Sequence, residues 1–168
     1  TLEGRRSGEG YFSPDGKNII FQSERETGNP FYQIYTMSLE SGDVRRVSPG
    51  FGKTTCSFFR PGTDEVLFAT SHLDKEARVK QKAELDFRAS GKSRRYSWDY
   101  DVQMDIFSTK RDGSNLKRLT SAMGYDAEGG YSPDGKKVVF CSIRDAYGKA
   151  ILTDKEKARP LLTDEQIA

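Results

Sequence analysis

The chain has 168 residues, 35% of them hydrophobic and 31% charged, and its 11% aromatic content argues against a disordered protein. Its 27 Lys and Arg against 25 Asp and Glu leave a net charge of only +2, which argues against a nucleic-acid-binding protein with a concentrated basic face. No apolar run of roughly 18 residues is present, so the sequence predicts no membrane-spanning helix.

The first predicted element is a β-hairpin. Its turn is the sequence YFSPDGK at residues 11–17, where Pro presets φ and Gly supplies the left-handed position after Asp. An apolar strand follows at 19–23, and a second strand pair is predicted at 33–37 and 44–47. Residues 8–48 therefore form a unit of four strands.

The same four strands return in residues 51–120. A diverged turn, FFRPGTD at 58–64, precedes an apolar strand at 66–70, and a strand pair follows at 105–109 and 116–119. Arg and Gly replace the Ser and Asp of the first turn, which weakens the turn but leaves the strand pattern intact.

A third copy of the turn, YSPDGK at 131–136, belongs to the start of another unit, at 124–145. Pro14 and Pro61 are 47 residues apart, whereas Pro61 and Pro133 are 72 apart. The excess of 25 residues falls between the second and third strands of the second unit, so one insertion accounts for the whole difference.

This insertion occupies residues 73–100. Its first part, 73–88, contains helix formers and no Gly or Pro, which predicts a short amphipathic helix. The apolar positions of the expected helical face are Leu73, Ala77, Ala83 and Phe87. The second part, 91–100, interleaves basic and aromatic residues, as in loops that face a ligand or a nucleic acid. The alternative is an ordered loop that packs Trp98 and Tyr100 on the protein.

Four strands in fewer than about 50 residues, repeated in tandem, indicate propeller blades. The SPDGK turn, the apolar strand that follows it, and the endings Arg-Val-Ser at 46–48 and Arg-Leu-Thr at 118–120 resemble the WD-like repeat of TolB-type propellers. The resemblance covers residues 8–145 apart from the insertion. The expected fold is an all-β propeller of four-stranded blades, with about two and a half blades and a short helical insertion in the second.

This number of blades cannot close a ring, because propellers typically have 4–8 blades. We expect the remaining blades to come from the same longer chain or from another chain. The tail at 146–168 shows no clear strand pair, and residues 155–159 could form a short helix that Pro160 would end.

The two cysteines lie within apolar or β-branched runs. Cys56 and Cys141 have no short spacing that would indicate a metal or redox motif. We therefore predict two buried free thiols that behave as small hydrophobic side chains.

Three basic residues occupy one repeated position, four residues after the Phe of the second strand. They are Arg25, His72 and Arg144. They could bond to loop backbone or to a neighbouring blade, or they could form a cationic rim for an anionic ligand. Nothing in the sequence places a nucleophile beside His72, the single histidine.

A repeated acidic position is found in the first strands of the units. Glu9 and Glu128 each lie five residues before the turn Pro, and Cys56 takes this place in the second unit. In a propeller the first strand of each blade lines the central channel, so these carboxylates are expected near the axis. Lys53, Thr54 and Asp126 are expected to join them. Such carboxylates could hold Ca²⁺, form a polar funnel for a small ligand, or simply make solvated channel walls.

Resemblance to TolB-like propellers implies a non-catalytic binding or scaffold module with a protein or peptide partner. It also implies a periplasmic or secreted location, although no signal peptide is visible. The alternative is the propeller part of a prolyl-oligopeptidase-like or tricorn-like peptidase whose catalytic residues lie outside this chain. A weaker alternative is a lyase or sugar-binding propeller that uses the channel carboxylates. No cofactor is expected beyond the calcium that the two glutamates could hold.

Overall fold

A computed structural model of the protein describes residues 4–95, 97 and 99–144, and it contains two complete blades and one further hairpin. Blade one contains β1 (Ser7–Phe12), β2 (Asn18–Ser23), β3 (Gln33–Ser38) and β4 (Val44–Arg46). Blade two contains β5 (Thr54–Phe59), β6 (Glu65–Thr70), β7 (Asp105–Lys110) and β8 (Lys117–Arg118), with α1 (Ala77–Ala89) between β6 and β7. Blade three is represented by β9 (Asp126–Tyr131) and β10 (Val138–Ser142).

Neighbouring strands are antiparallel and follow chain order within each blade. The predicted fold of four-stranded blades with a helical insertion is confirmed. The predicted tail at 146–168, with its short helix, lies outside the described residues, as does Trp98. No helix in the described part of the chain has the length and apolar character needed to cross a bilayer.

The repeated turn is held by its own side chains. Ser13 Oγ donates to Asp15 Oδ1 at 2.5 Å, and the same carboxylate accepts the backbone N–H of Lys17 at 3.0 Å. These bonds lower the pKa of Asp15, the bond from Ser13 having the larger effect. Gly16 takes the left-handed conformation at φ 68°, so the SPDG sequence follows from the turn geometry.

A hydroxyl closes each complete blade where its fourth strand ends. Ser48 Oγ accepts the N–H of Ile34 at 2.9 Å and donates to Gln33. Thr120 Oγ1 accepts the N–H of Ile106 at the same distance in blade two. The Ser and Thr of the repeated endings thus fasten the outer edge of each blade to its third strand.

The core lies between blades, and β6 contributes to both sides of blade two. Val66 and Phe68 pack in a cluster with residues of blade one, whereas Ala69 packs in a second cluster with residues of blade three. Alternate residues of a strand point to opposite faces, so a strand buried on both faces is apolar throughout. Burial of each large side chain stabilises the fold by roughly 1.5–3 kcal/mol.

The outer faces of the first and last blades are open. Val139 occupies the position of Leu67 in blade two, and it is 75% exposed where Leu67 is fully buried. Cys141 lies on the same open face and is exposed, while Cys56 is only half-buried. The prediction of two buried thiols is therefore wrong, because Cys141 has no blade packed over it among the described residues.

Helix α1 confirms the predicted helix but not its predicted face. Ala77, Gln81 and Glu84 are its buried residues, whereas Ala83 is exposed. The helix rests on polar loop backbone, so amide and charged groups are turned inward. After the helix, the exposed Tyr100 ring meets the Tyr125 ring edge-on at 5.4 Å between centroids, which favours the packed-loop interpretation of this segment.

Candidate functional site

The first strands of all three blades bulge at the same repeat position. Pairing with the second strand shifts register between Gly8 and Tyr11 in β1, and equivalent shifts occur in β5 and β9. The residues at the bulge are Glu9, Cys56 and Glu128, with φ values of 48°, 52° and 58°. A left-handed conformation costs a residue other than Gly roughly 1–2 kcal/mol, so three such positions in register are a marked departure from ordinary strand geometry.

These bulges line one cleft of about 190 Å³, which we name the bulge cleft. Its lining side chains are Glu9 and Tyr11 of β1, Cys56, Ser57 and Phe58 of β5, and Glu128 of β9. Three blades thus contribute to one concavity. The structure brings together Glu9 and Glu128, the two carboxylates that the blade alignment predicts to lie near each other.

The thiol of Cys56 is held in its neutral form. Burial raises the pKa of Cys56 to about 12, and the carboxylates of Glu9 and Glu128 add to this rise, while the bond with Thr55 opposes it. A thiol is nucleophilic only as the thiolate. Cys56 therefore lines the cleft as a neutral thiol.

Aromatic rings form another part of the bulge cleft. The Tyr11 and Phe58 rings are inclined to each other with centroids 5.3 Å apart. Two carboxylates and two rings make a surface that accepts cations and hydrogen-bond donors. Within residues 4–95, 97 and 99–144, no group of three or more His, Cys, Asp or Glu side chains is placed to hold a metal ion.

Three residues expected beside the glutamates do not line the bulge cleft. Thr54 Oγ1 donates to Thr70 at 3.1 Å, and Asp126, fully buried, accepts a hydrogen bond from Ser142 at 2.5 Å. Both bonds join the first strand of a blade to the end of its second. Lys53 instead pairs with Asp99 of the insertion and with Asp101, which directly follows it. Strand alternation before the bulge explains the difference, because these positions face a neighbouring strand or loop.

The arginines of the expected cationic rim are engaged at the ends of their blades. The guanidinium of Arg25 lies 5.0 Å from the ring centroid of Tyr35, and its Nε donates to Ser23 Oγ at 3.1 Å. Arg144 forms an ion pair with Asp126 at 2.5 Å. Both arginines therefore bond to side chains of their own blade, whereas the first of the two interpretations expects loop backbone or a neighbouring blade.

His72 does not contribute charge to such a rim. Its ring is 8% exposed and meets the Phe107 ring edge-on at 4.7 Å between centroids. Burial lowers the pKa of His72 to about 4, and the charge of Arg118 lowers it further. The imidazole is thus neutral at physiological pH, which argues against the alternative of a cationic rim at this position.

Helix α1 is held on blade one by polar groups that the sequence reasoning missed. Gln81 Oε1 accepts the backbone N–H of Gly52 at 2.9 Å, and Gln81 Nε2 donates to the carbonyl of Gly28 at 3.3 Å. Glu24 has a side chain only 3% exposed, and it pairs with Arg6 and with Arg88 of the helix. The helical spacing of Gln81 and Arg88 is visible in the sequence, but a buried face made of polar residues gives no hydrophobic signal.

A second ionic contact fixes the base of the insertion. Asp101, whose side chain is 1% exposed, pairs with Lys53 at 3.1 Å and with Lys80 at 2.7 Å. Burial alone would raise the pKa of Asp101, but the two ammonium groups outweigh it and lower the pKa to about 2. The insertion is therefore bonded at both ends to the blade array.

Comparison with known proteins finds relatives that match most of this chain. No family model matches the chain. It is 28% identical over 168 residues to a protein named TolB homolog from Chlorobium luteolum, covering 91% of this chain and 36% of that protein. It is 27% identical over 154 residues to the uncharacterized peptidase YuxL from Bacillus subtilis, covering 81% and 22% of the two chains.

Solved structures give the same result. The putative TolB from Agrobacterium tumefaciens superposes with a TM-score of 0.57 at 25% identity, covering 84% of this chain and 40% of that one. TolB from Acinetobacter baumannii shares the fold, with a TM-score of 0.53. The chain spans about a fifth to two fifths of the length of these relatives. The repeat, the blade topology and these likenesses together show that the chain has the fold of part of a TolB-like β-propeller.

Proposed function

We propose that this chain is a non-catalytic binding module that takes a protein or peptide partner, or a small ligand, at the bulge cleft. One observation carries the proposal. The same strand position in three blades adopts a strained left-handed conformation without being Gly, and all three of its side chains line one concavity. Backbone strain at the same position of three blades, at residues that all line one cleft, supports a functional role for the side chains at these positions.

The chemistry of the described residues favours binding over catalysis. His72 is the only histidine of the chain, and it is buried, neutral and packed against aromatic rings. Cys56 in the bulge cleft is a thiol with a pKa of about 12, far from the activated state that a nucleophile needs. Neither group is prepared for acyl transfer.

The setting of this module is part of the same proposal. Its likeness to a protein named TolB homolog supports a periplasmic or secreted location and a protein partner. Fractionation of cells that express the native gene would test the location. Recovery of the protein in the cytoplasmic fraction alone would contradict it.

The binding proposal is tested by site-specific photo-cross-linking in the source organism. A benzophenone side chain in place of Tyr11, which is 43% exposed in the cleft, should give one discrete adduct. Glu9→Gln combined with Glu128→Gln should abolish that adduct. The same photo-cross-linker at Val79, 68% exposed on α1, is the matched control. Equal labelling at both positions, or an adduct indifferent to the charge change, would refute the proposal.

A second candidate is the propeller part of a larger peptidase. The likeness to the YuxL peptidase, of which this chain covers 22%, favours it. In that case the nucleophile lies outside these residues, and the bulge cleft faces a separate catalytic domain. A fluorophosphonate probe should then label the protein expressed from its complete gene. Absence of labelling, with a control serine hydrolase labelled in parallel, would exclude a serine peptidase.

A further inference from the structure

We propose that the bulge cleft is a receptor for an organic cation, an ammonium or guanidinium group presented by a peptide. This inference rests on the proposed binding function and names the chemistry of its ligand. Glu9 of blade one and Glu128 of blade three line the cleft, and the rings of Tyr11 and Phe58 line it with them. No lining residue is basic.

The charge of the site favours a cationic ligand. Both glutamates are exposed at the bulge, so their carboxylates are open to a ligand. Both carboxylates line the same cleft of about 190 Å³ together with Cys56. A cation in this volume would interact with two blades at once, and charge-assisted hydrogen bonds to carboxylates are the stronger kind.

The rings favour an organic cation over a hard metal ion. Calcium takes six to eight oxygen ligands, whereas the lining residues supply only two carboxylates. Ammonium and guanidinium groups instead lie against aromatic faces, and the methylene stem of Lys or Arg covers apolar surface. The Tyr11 and Phe58 rings, 5.3 Å apart, offer such a surface. One water needs roughly 10–15 Å³ of such space, so a cleft of about 190 Å³ has room for one such head group.

A buried hydroxyl gives an independent indication of a ligand. Ser57 also lines the bulge cleft, is only 2% exposed, and its Oγ has no hydrogen-bond partner within the described ranges 4–95, 97 and 99–144. Buried polar groups in native proteins are normally satisfied, so an unsatisfied hydroxyl at a cleft indicates a missing partner. An N–H donor of the cation would supply it.

The test is an NMR titration of the full chain with defined probes. Nα-acetyl-arginine amide carries a side-chain cation only, glycyl-glycinamide carries an N-terminal ammonium only, and Nα-acetyl-citrulline amide is the neutral match of the first. At least one cationic probe should shift the resonances of Tyr11 and Phe58, and which one does so identifies the source of the cation. If the arginine probe binds, the citrulline probe should bind at least 10-fold more weakly.

Variants connect the binding to the carboxylates. Glu9→Gln and Glu128→Gln should each weaken binding of the cationic probe several-fold, and together at least 10-fold. Glu40→Gln, on an exposed turn, removes the same charge elsewhere and should leave the affinity unchanged. Thermal unfolding of each variant verifies that the fold is retained.

Three results would overturn the inference. They are no shift with either cationic probe, binding of the citrulline probe as tight as that of an arginine probe that binds, and calcium chloride shifting the cleft resonances when the organic cations do not. These outcomes are separable from failure of the proposed function. A cross-linked partner at Tyr11 that depends on both glutamates would keep the binding function while the organic-cation inference fails.

Discussion

Phe12 and Phe59 occupy the same position in successive blades, yet Phe12 is 72% exposed and Phe59 is 1% exposed. Phe59 belongs to the cluster between blades one and two, whereas no described blade packs over Phe12. We expect Phe59→Ala to lower the free energy of unfolding by about 3–5 kcal/mol and Phe12→Ala to change it by less than about 0.5 kcal/mol. Urea unfolding of the two matched variants measures this difference. Equal losses would show that a further part of the chain covers Phe12.

At position 128 the residue that supplies the binding carboxylate fits the strained backbone less well than Gly would, so we expect Glu128 to lower the stability of the fold. Gly adopts a φ of 58° without penalty, whereas Ala does not. Glu128→Gly should therefore be about 1 kcal/mol more stable than Glu128→Ala, although both lose the carboxylate. Chemical denaturation of the pair measures the difference. Gly16→Ala, at φ 68° in an exposed turn, is the control and should destabilise by a similar amount.

Asp105 should make the stability depend on pH. Burial raises its pKa to about 6, although Arg118 donates to it at 2.5 Å and opposes this rise. Because the folded pKa exceeds the unfolded value, the folded state retains the proton longer. The stability that Asp105 contributes is present below pH 4 and is lost as the pH rises through 6. The loss in the free energy of unfolding is about 2–3 kcal/mol.

Substitution of Asp105 isolates this contribution. Asp105→Asn keeps one acceptor oxygen, which can serve Arg118, and it removes the titrating proton, so it should flatten the fall in stability between pH 4 and 6. Asp101 should make stability change with pH in the opposite direction, because its pKa in the folded state is about 2. Its contribution is present above pH 4 and is lost as the pH falls toward 2. Unfolding midpoints measured from pH 2 to 8 would separate the two, and an unchanged slope in Asp105→Asn would contradict the assignment.

The docking of α1 should depend on Arg88. Its guanidinium donates to Glu24, which is buried and retains only Arg6 as a described partner when Arg88 is removed. Arg88→Ala should lower the free energy of unfolding by about 2–3 kcal/mol and speed amide exchange in the helix. The control is Lys82→Ala, which breaks an exposed ion pair with Asp86 and should cost less than about 0.5 kcal/mol. Similar losses in both variants would show that the helix is not held by Glu24.

The blades could be predicted from the sequence because their signals are local. The SPDG turn specifies its own hydrogen bonds, and strand alternation specifies the two faces of each sheet. The convergence of Glu9 and Glu128 followed from the equivalence of blades. The positions of Lys53, Thr54 and Asp126 could not be predicted in this way, because which face a residue takes near a bulge depends on the bulge itself.

The insertion shows a different limit. The sequence predicts a helix with an apolar face that includes Ala83, whereas the structure buries Gln81 and exposes Ala83. The partners of Gln81 are backbone groups of Gly52 and Gly28, which are far away in the sequence. Nearly every residue carries the same backbone N–H and C=O, so residue types do not show which backbone groups will bond to a side chain. A polar docking face therefore cannot be predicted from the sequence.

The two complete blades differ in the connection between their inner hairpin and their outer strands, which has nine residues (24–32) in blade one and 34 residues (71–104) in blade two. Both connections nevertheless leave and re-enter the sheet at equivalent pairs, Ser23 with Gln33 and Thr70 with Asp105. The two blades therefore accept connections of different length at the same junction. Connections that differ by 25 residues are joined there while every strand keeps its pairing partner.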